Sequence, residues 1–168
     1  MSIDQRLLAR VALRDQSAFH RLYERLADRV YRFALSLLRS PHLAEEVLQE
    51  TMMAVWREAG RFEGRSKVST WILGIARNQA FRLLRREEKG RRLPEIEHEA
   101  SDPAEQSEMS VRVERSLDAL PPQQREVLHL VFYENLTVNE TASVLGIPPG
   151  TVKSRMYHAR RALAKELT

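Results

Sequence analysis

The chain has 168 residues, with 27 Lys+Arg against 23 Asp+Glu and a formal net charge of +4, which is the size of one domain or two small ones. It has no cysteine, which excludes a disulfide scaffold, a thiol nucleophile, a thiolate metal site and a built-in thiol sensor. Six Gly and seven Pro are too few for a turn-dense all-β fold, and no apolar run approaches the ~18–20 residues of a membrane span. Met1-Ser2-Ile3-Asp4 opens an amphipathic stretch rather than a signal peptide. A mostly helical, cytoplasmic protein with no membrane insertion of its own is expected.

The net charge hides a pattern. Residues 1–92 carry 19 basic and 11 acidic residues, residues 93–117 carry 2 and 7, and residues 118–168 carry 6 and 5, giving +8, −5 and +1. A basic, an acidic and a near-neutral piece predict two modules and a tether. The expected division is a helical domain over 1–88, an acidic flexible linker over 89–108 and a second helical domain over 109–168. The expected fold class is all-α.

In chain order, residues 3–14 predict a short helix with Leu7, Leu8 and Val11 on one face, and Ser17 is placed to cap the next. The second helix has the clearest periodicity: Phe19, Leu22, Tyr23, Leu26, Val30, Phe33, Ala34 and Leu37 recur at helical spacing, with Arg21, Arg25, Arg29, Arg32 and Arg39 largely off that stripe. Ser40-Pro41 reads as the N-cap and first position of a third helix, which runs to about Ala59 before Gly60. Its apolar positions are Leu43, Val47, Leu48, Met52, Val55 and Trp56. A polar loop over 61–69 precedes a fourth helix, capped by Ser69 or Thr70 and running to about Arg86. Gly74 within it costs ~1 kcal/mol relative to Ala and is expected to permit close helix packing. Trp56 and Trp71 fall on apolar stripes and read as core. Arg82, Arg85, Arg86, Lys89, Arg91 and Arg92 put more positive charge at the end of the fourth helix than dipole complementation needs.

From 87 to 107 the apolar pattern fails in an acidic, Pro-punctuated stretch. Its charge is expected to cover the basic faces of the free protein. The second module begins near Met109 with a short helix through Val113, Leu117 and Leu120, and Pro121-Pro122 opens another. Thr137-Val138-Asn139-Glu140 is a capping-box pattern. The last helix is expected from Thr151 to about Leu167.

These last two helices have helix-turn-helix logic. Ala142 is the small residue facing the second helix, Gly146 is the turn residue that tolerates φ > 0, and Val152 faces back. Val152, Met156, Ala159 and Leu163 form one stripe of the last helix, and Lys153, Ser154, Tyr157, His158, Arg160 and Arg161 cover the rest. Such a helix reads bases through its N-terminal turns and holds phosphates through its cations. An ordinary solvated surface helix is the alternative. No second His, Cys or carboxylate lies at ligand spacing from His158, so no metal site is expected, and nothing in the chain points to a catalytic centre or a cofactor.

Three segments carry a family resemblance. Ala44-Glu45-Glu46-Val47-Leu48-Gln49-Glu50-Thr51 with Val55-Trp56-Arg57 resembles the polymerase-binding core of bacterial sigma factors. Phe62 to Arg86, with Thr70-Trp71-Ile72 and Ala76-Arg77-Asn78, resembles their promoter-melting and −10-reading segment. Leu120-Pro121-Pro122 through Gly150-Thr151-Val152-Lys153-Ser154-Arg155 resembles their −35-reading domain. The two-module layout is similar to the extracytoplasmic-function (ECF) group. The family usually has Asp where this chain has Glu46, and Phe where it has Met52; both changes keep chemical character.

The resemblance implies a sigma factor that binds core RNA polymerase, reads promoter DNA and commonly works under an anti-sigma factor. It implies that Glu45, Glu46, Gln49 and Glu50 face the polymerase. Phe62, Lys67, Arg77, Asn78, Arg82, Arg85 and Arg86 fall at −10-contacting positions. Thr151, Lys153, Ser154, Arg155, Tyr157, His158 and Arg161 fall at −35-contacting positions. By residue chemistry alone, the acidic face could equally be solvated and Asn78 a helix-surface amide. A one-component repressor with 1–92 as a ligand or dimer domain is the rival binding reading.

Overall fold

The structure is a computed structural model and describes residues 1–90 and 107–167. The predicted acidic linker lies mainly outside the described residues, and so does the expectation that its charge covers the basic faces. Helices α1 (Ile3–Ala12), α2 (Gln16–Leu38), α3 (Pro41–Glu58) and α4 (Val68–Lys89) form the first module. Among the described residues there is no strand.

Local chemistry explains where these helices start and stop. Ser2 and Gln5 close a capping box at α1. Asp15, not Ser17, caps α2: its carboxylate accepts from the Ala18 amide. Asp15 is also clamped by Arg10 at 2.8 Å, so it has two partners that Ser17 lacks. Helix α2 ends at Arg39, which is left-handed at φ 53 and returns its N–H to the Leu35 carbonyl. Ser40 caps α3 with Pro41 at the first position, as the sequence predicts. A short 3-10 turn over Ala59–Arg61 finishes α3. Helix α4 starts earlier than expected. Its N-cap is Lys67, which makes no side-chain cap, while Ser69 and Thr70 are buried within the first turn.

The first module buries Leu8, Leu22, Val30, Phe33, Leu37, Val47, Val55, Ile72 and Leu73 almost completely. Each such side chain contributes about 1.5–3 kcal/mol by leaving water. Trp56 and Trp71 are half-buried against this core, packed on Phe19 and Phe62 with ring centroids 5.4 Å apart in each pair.

The second module comprises α5 (Glu108–Asp118), α6 (Pro122–Leu128), α7 (Val138–Leu145) and α8 (Pro149–Leu167). A π-helical turn over His129–Tyr133 extends α6, a widening that hydrophobic spacing does not reveal. The Thr137–Glu140 capping box forms with both hydrogen bonds at 3.0 Å. Gly146 is left-handed at φ 66, Ala142 is nearly buried and Val152 fully so, which is the geometry the helix-turn-helix requires. Helix α8 begins two residues earlier than expected, at Pro149, a residue suited to a first turn.

The two modules pack together. Buried Val127, Leu130, Leu136, Ala142, Val144, Leu145 and Val152 of the second belong to the same core as the residues of α1–α4. Arg125 of α6 donates to the last-turn carbonyls of α2, at 2.8 Å to Ser36 and 2.7 Å to Leu37, and also to Leu120. A cation there satisfies carbonyls that a helix end leaves unpaired. Burial, and then Arg39, bring its pKa down to about 10, against the pull of Asp118, so it stays charged at neutral pH. Gly74 does sit at a close approach, but to the carbonyl of Val144 in α7. A Cβ there would lie at 3.6 Å, in ordinary contact, so the packing does not demand glycine.

Candidate nucleic-acid and partner interfaces

Helix α8 turns Lys153, Ser154, Tyr157, His158, Arg160 and Arg161 to solvent, with Thr151 half-buried at its start. Tyr157 and His158 pack edge to face at 5.5 Å. Arg161 donates to the Tyr157 hydroxyl at 3.2 Å, and Arg160 lies 5.0 Å over the exposed Phe132 ring. These contacts hold the outer turns of α8 in place while leaving Lys153 and Ser154 open. Arg155 differs: it points inward, 3.7 Å from the Glu126 carboxylate.

On α4 the predicted residues are divided. Arg82 and Arg85 are exposed, and Arg86 reaches Glu46 at 3.1 Å. Phe62 is half-buried against Trp71 and offers no free face on both sides. Lys67 is exposed, 3.9 Å from Glu140. Arg77 is largely withdrawn. Its guanidinium lies 3.2 Å from Glu126 and 4.1 Å over the Phe81 ring. Asn78 is exposed at the edge of a cavity of about 310 Å³, walled by Thr70, Trp71 and Gly74 of α4 and by Ser143, Val144 and Gly146 of the second module.

On α3, Glu45, Gln49 and Glu50 are exposed and Glu46 is half-buried. Glu46 and Glu50 rim a groove of about 270 Å³ opposite Gln79, Arg82 and Arg86, floored by Val47 and Leu83. Sequence reasoning missed Met53, which is 54% exposed one turn beyond Gln49 and Glu50. The signal was its place off the apolar stripe, where a large apolar side chain has no core to enter.

Sequence reasoning also missed Glu126, to which it gave no role. It is fully buried, with Arg77 of α4 and Arg155 of α8 as its partners. Burial pushes its carboxyl pKa up, and the two guanidiniums oppose that. Its signal was position: Glu126 stands four residues before buried Leu130 and beside buried Val127, on a face that should be apolar. His129 is a second buried titratable group, edge-on to Phe33 at 5.6 Å and stacked on Tyr133 at 4.7 Å. Burial, then the charge of Arg32, bring its pKa to about 4, so it is neutral at pH 7. Glu134 lies 4.0 Å away, but its carboxylate is already engaged by Arg29 at 2.6 Å. Among the described residues there is no metal-ligating cluster and no helix long and apolar enough to cross a membrane.

The chain thus presents an acidic helix face, a cationic helix-turn-helix and a second cationic helix. Comparison with known proteins gives this arrangement a family. The family model described as Sigma-70 region 2 matches residues 22–90, and that described as Sigma-70, region 4 matches residues 110–163. The ECF RNA polymerase sigma factor RpoE of Cereibacter sphaeroides is 32% identical over 161 residues, covering 92% of this chain and 89% of that protein. The ECF RNA polymerase sigma factor SigM of Mycobacterium tuberculosis is 34% identical over 165 residues, covering 98% and 84%. Among solved structures, CnrH in complex with the cytosolic domain of CnrY superposes with a TM-score of 0.74 at 25% identity, covering 99% of this chain and 97% of that one. The sigma factor RpoE in complex with the anti-sigma factor NepR from Bartonella quintana also gives 0.74, at 28% identity, covering 89% and 96%. The chain belongs to the sigma-70 family, in its ECF group. It is a transcription initiation factor that directs RNA polymerase to promoters.

Proposed function

We propose that the second module, taken as 109–168, reads duplex −35 DNA through α8, and that the first, taken as 1–88, docks core polymerase through α3 and reads the melted −10 strand through α4, with 89–108 as the tether. Ser154, Tyr157 and His158 present hydrogen-bonding groups to base edges, and Thr151, Lys153, Arg155 and Arg161 hold phosphates. Asn78 both donates and accepts, which suits the edge of an unstacked base, and its cavity suits a flipped one. Phe62, Lys67, Arg77, Arg82, Arg85 and Arg86 surround that strand. Glu45, Glu46, Gln49 and Glu50 accept hydrogen bonds from cations of the polymerase, and Met53 adds apolar contact beside them. In this reading the catalytic centre is the polymerase's, and the chain works in the cytoplasm. An anti-sigma factor is the proposed regulator, since both solved structures above are complexes and one is named as such a complex.

The observation that carries this reading is the open N-terminal half of α8, with Lys153, Ser154, Tyr157 and His158 all facing solvent on an intact helix-turn-helix. Run-off transcription with purified core polymerase on a promoter library tests it. Transcripts should start downstream of shared −35 and −10 elements, and replacing Ser154 and His158 should shift the −35 preference by about 1–3 kcal/mol per base contact. No sequence selection, or selection unmoved by those replacements, overturns it. Glu46→Lys with Glu50→Lys should weaken capture of core polymerase while leaving the melting curve in place.

A further inference from the structure

The stretch 118–168 contains five carboxylates: Asp118, Glu126, Glu134, Glu140 and Glu166. Four of them meet a cation of the first module. Glu134 meets Arg29 at 2.6 Å, Glu126 meets Arg77 at 3.2 Å, Glu140 meets Lys67 at 3.9 Å, and Asp118 meets Arg39. Four carboxylates of one module set opposite four cations of its neighbour are an arrangement that fixes register between two surfaces. Arg125 adds the reciprocal contact to the end of α2.

Glu126 is the centre of this interface. It is fully buried and shared between Arg77 of α4 and Arg155 of α8, one cation from each of the two DNA-contacting sets. Removing Glu126 leaves both guanidiniums without this partner, and removing both cations leaves a carboxylate buried alone, which is costly. The end of α7 meanwhile stands over Gly74 and the wall beside Asn78.

We propose that the free chain is latched shut on itself by Glu126, which occupies one cation of each DNA-reading face until nucleic-acid phosphate takes its place. This rests on the DNA-contact roles proposed for Arg77 and Arg155. In the latched state α4 and α8 both keep exposed residues, Arg82 and Arg85 on one and Lys153 and Ser154 on the other, while Arg77 and Arg155 are released only when the modules part.

The test uses the full chain without polymerase. Small-angle X-ray scattering reads closure, and anisotropy of a fluorescein-labelled random 20-nucleotide single strand reads access to the cations. Glu126→Gln should enlarge the radius of gyration and tighten strand binding. Its salt dependence should steepen by about 1.4 log units per log unit of salt, from two cations at about 0.7 each. An unchanged radius and slope, at retained helical circular dichroism, overturns the proposal. Because Glu126→Gln can disturb α6, a second pair checks closure away from the latch. Arg29→Glu should open the chain, and Arg29→Glu with Glu134→Arg should reclose it. No opening by Arg29→Glu overturns closure. An opened chain that binds strand no better overturns the exchange for phosphate. Arg77→Ala with Arg155→Ala in the Arg29→Glu background then separates the two readings. A slope that falls by about 1.4 keeps their DNA roles and fails only the latch, and a slope that does not fall fails the DNA roles themselves.

Discussion

Helix α8 holds Lys153, Ser154, Tyr157 and His158 in water and turns Arg155 inward, while α4 has Arg77 turned onto the same buried carboxylate and Asn78 at the edge of an interdomain cavity. The two faces are similar in composition, cationic with a few amides and hydroxyls, so composition does not set the difference. The opposing surface does. A helix with nothing against its outer turns is ready for a rigid duplex groove. A helix with an arginine held by the neighbouring module must first release it, and a single strand exists only after the duplex has begun to open. With the roles proposed for α8 and α4, readiness for duplex and delay for single strand follow the order in which a promoter presents them.

The strongest way to break this contrast is to remove the open face. Val152 is fully buried where α8 meets α7, and Val152→Asp places a carboxylate there without a partner. We expect a loss of about 3 kcal/mol or more, read as a lowered and broadened thermal transition with −35 duplex binding abolished. Acid sharpens the contrast from the other side. His129 is held neutral with a pKa near 4 in the closed chain, against about 6.5 when exposed. The exposed form therefore binds more protons between these values, and closure weakens as pH falls through that window. Going from pH 7 to 5 should cost about 2 kcal/mol of closure, seen as expansion in scattering. His129→Phe should therefore abolish most of the acid expansion. The smallest effect belongs to Lys67 and Glu140, an exposed pair at 3.9 Å. Lys67→Ala should change stability by under about 0.5 kcal/mol, while Glu140→Ala should cost about 1 kcal/mol through its capping box. Equal losses in thermal melts would mean that the ion pair, not the cap, carries the energy.

The residues legible from sequence are those whose structure is decided within one or two turns. Ser40-Pro41, the Thr137–Glu140 box, the left-handed Gly146 and the apolar stripes of α2 and α8 are of this kind. The cap of α2 was misplaced because Ser17 and Asp15 are both competent, and only Arg10, reached across the turn, favours Asp15. The start of α4 was misplaced because Ser69 and Thr70 are buried by tertiary packing before they can cap. The site divides in the same way. The exposed residues of α8 follow from its periodicity. That Arg29, Arg39, Lys67 and Arg77 face carboxylates of the same chain does not, since a cationic helix face reads alike whether water or another module lies opposite. Glu126 was visible only as an exception to a stripe, and such an exception becomes a buried ion cluster only when Arg77 and Arg155 arrive from other helices.

Arg39 ends α2 in a left-handed conformation where glycine is the ordinary residue. Glycine would relax that helix terminus by roughly 1 kcal/mol, yet it would take away the guanidinium that meets Asp118. One substitution would then make the first module more heat-resistant and the pair of modules looser. Directed evolution for thermal tolerance alone should drift toward glycine at this position, and a screen for silence in the absence of polymerase should hold the arginine.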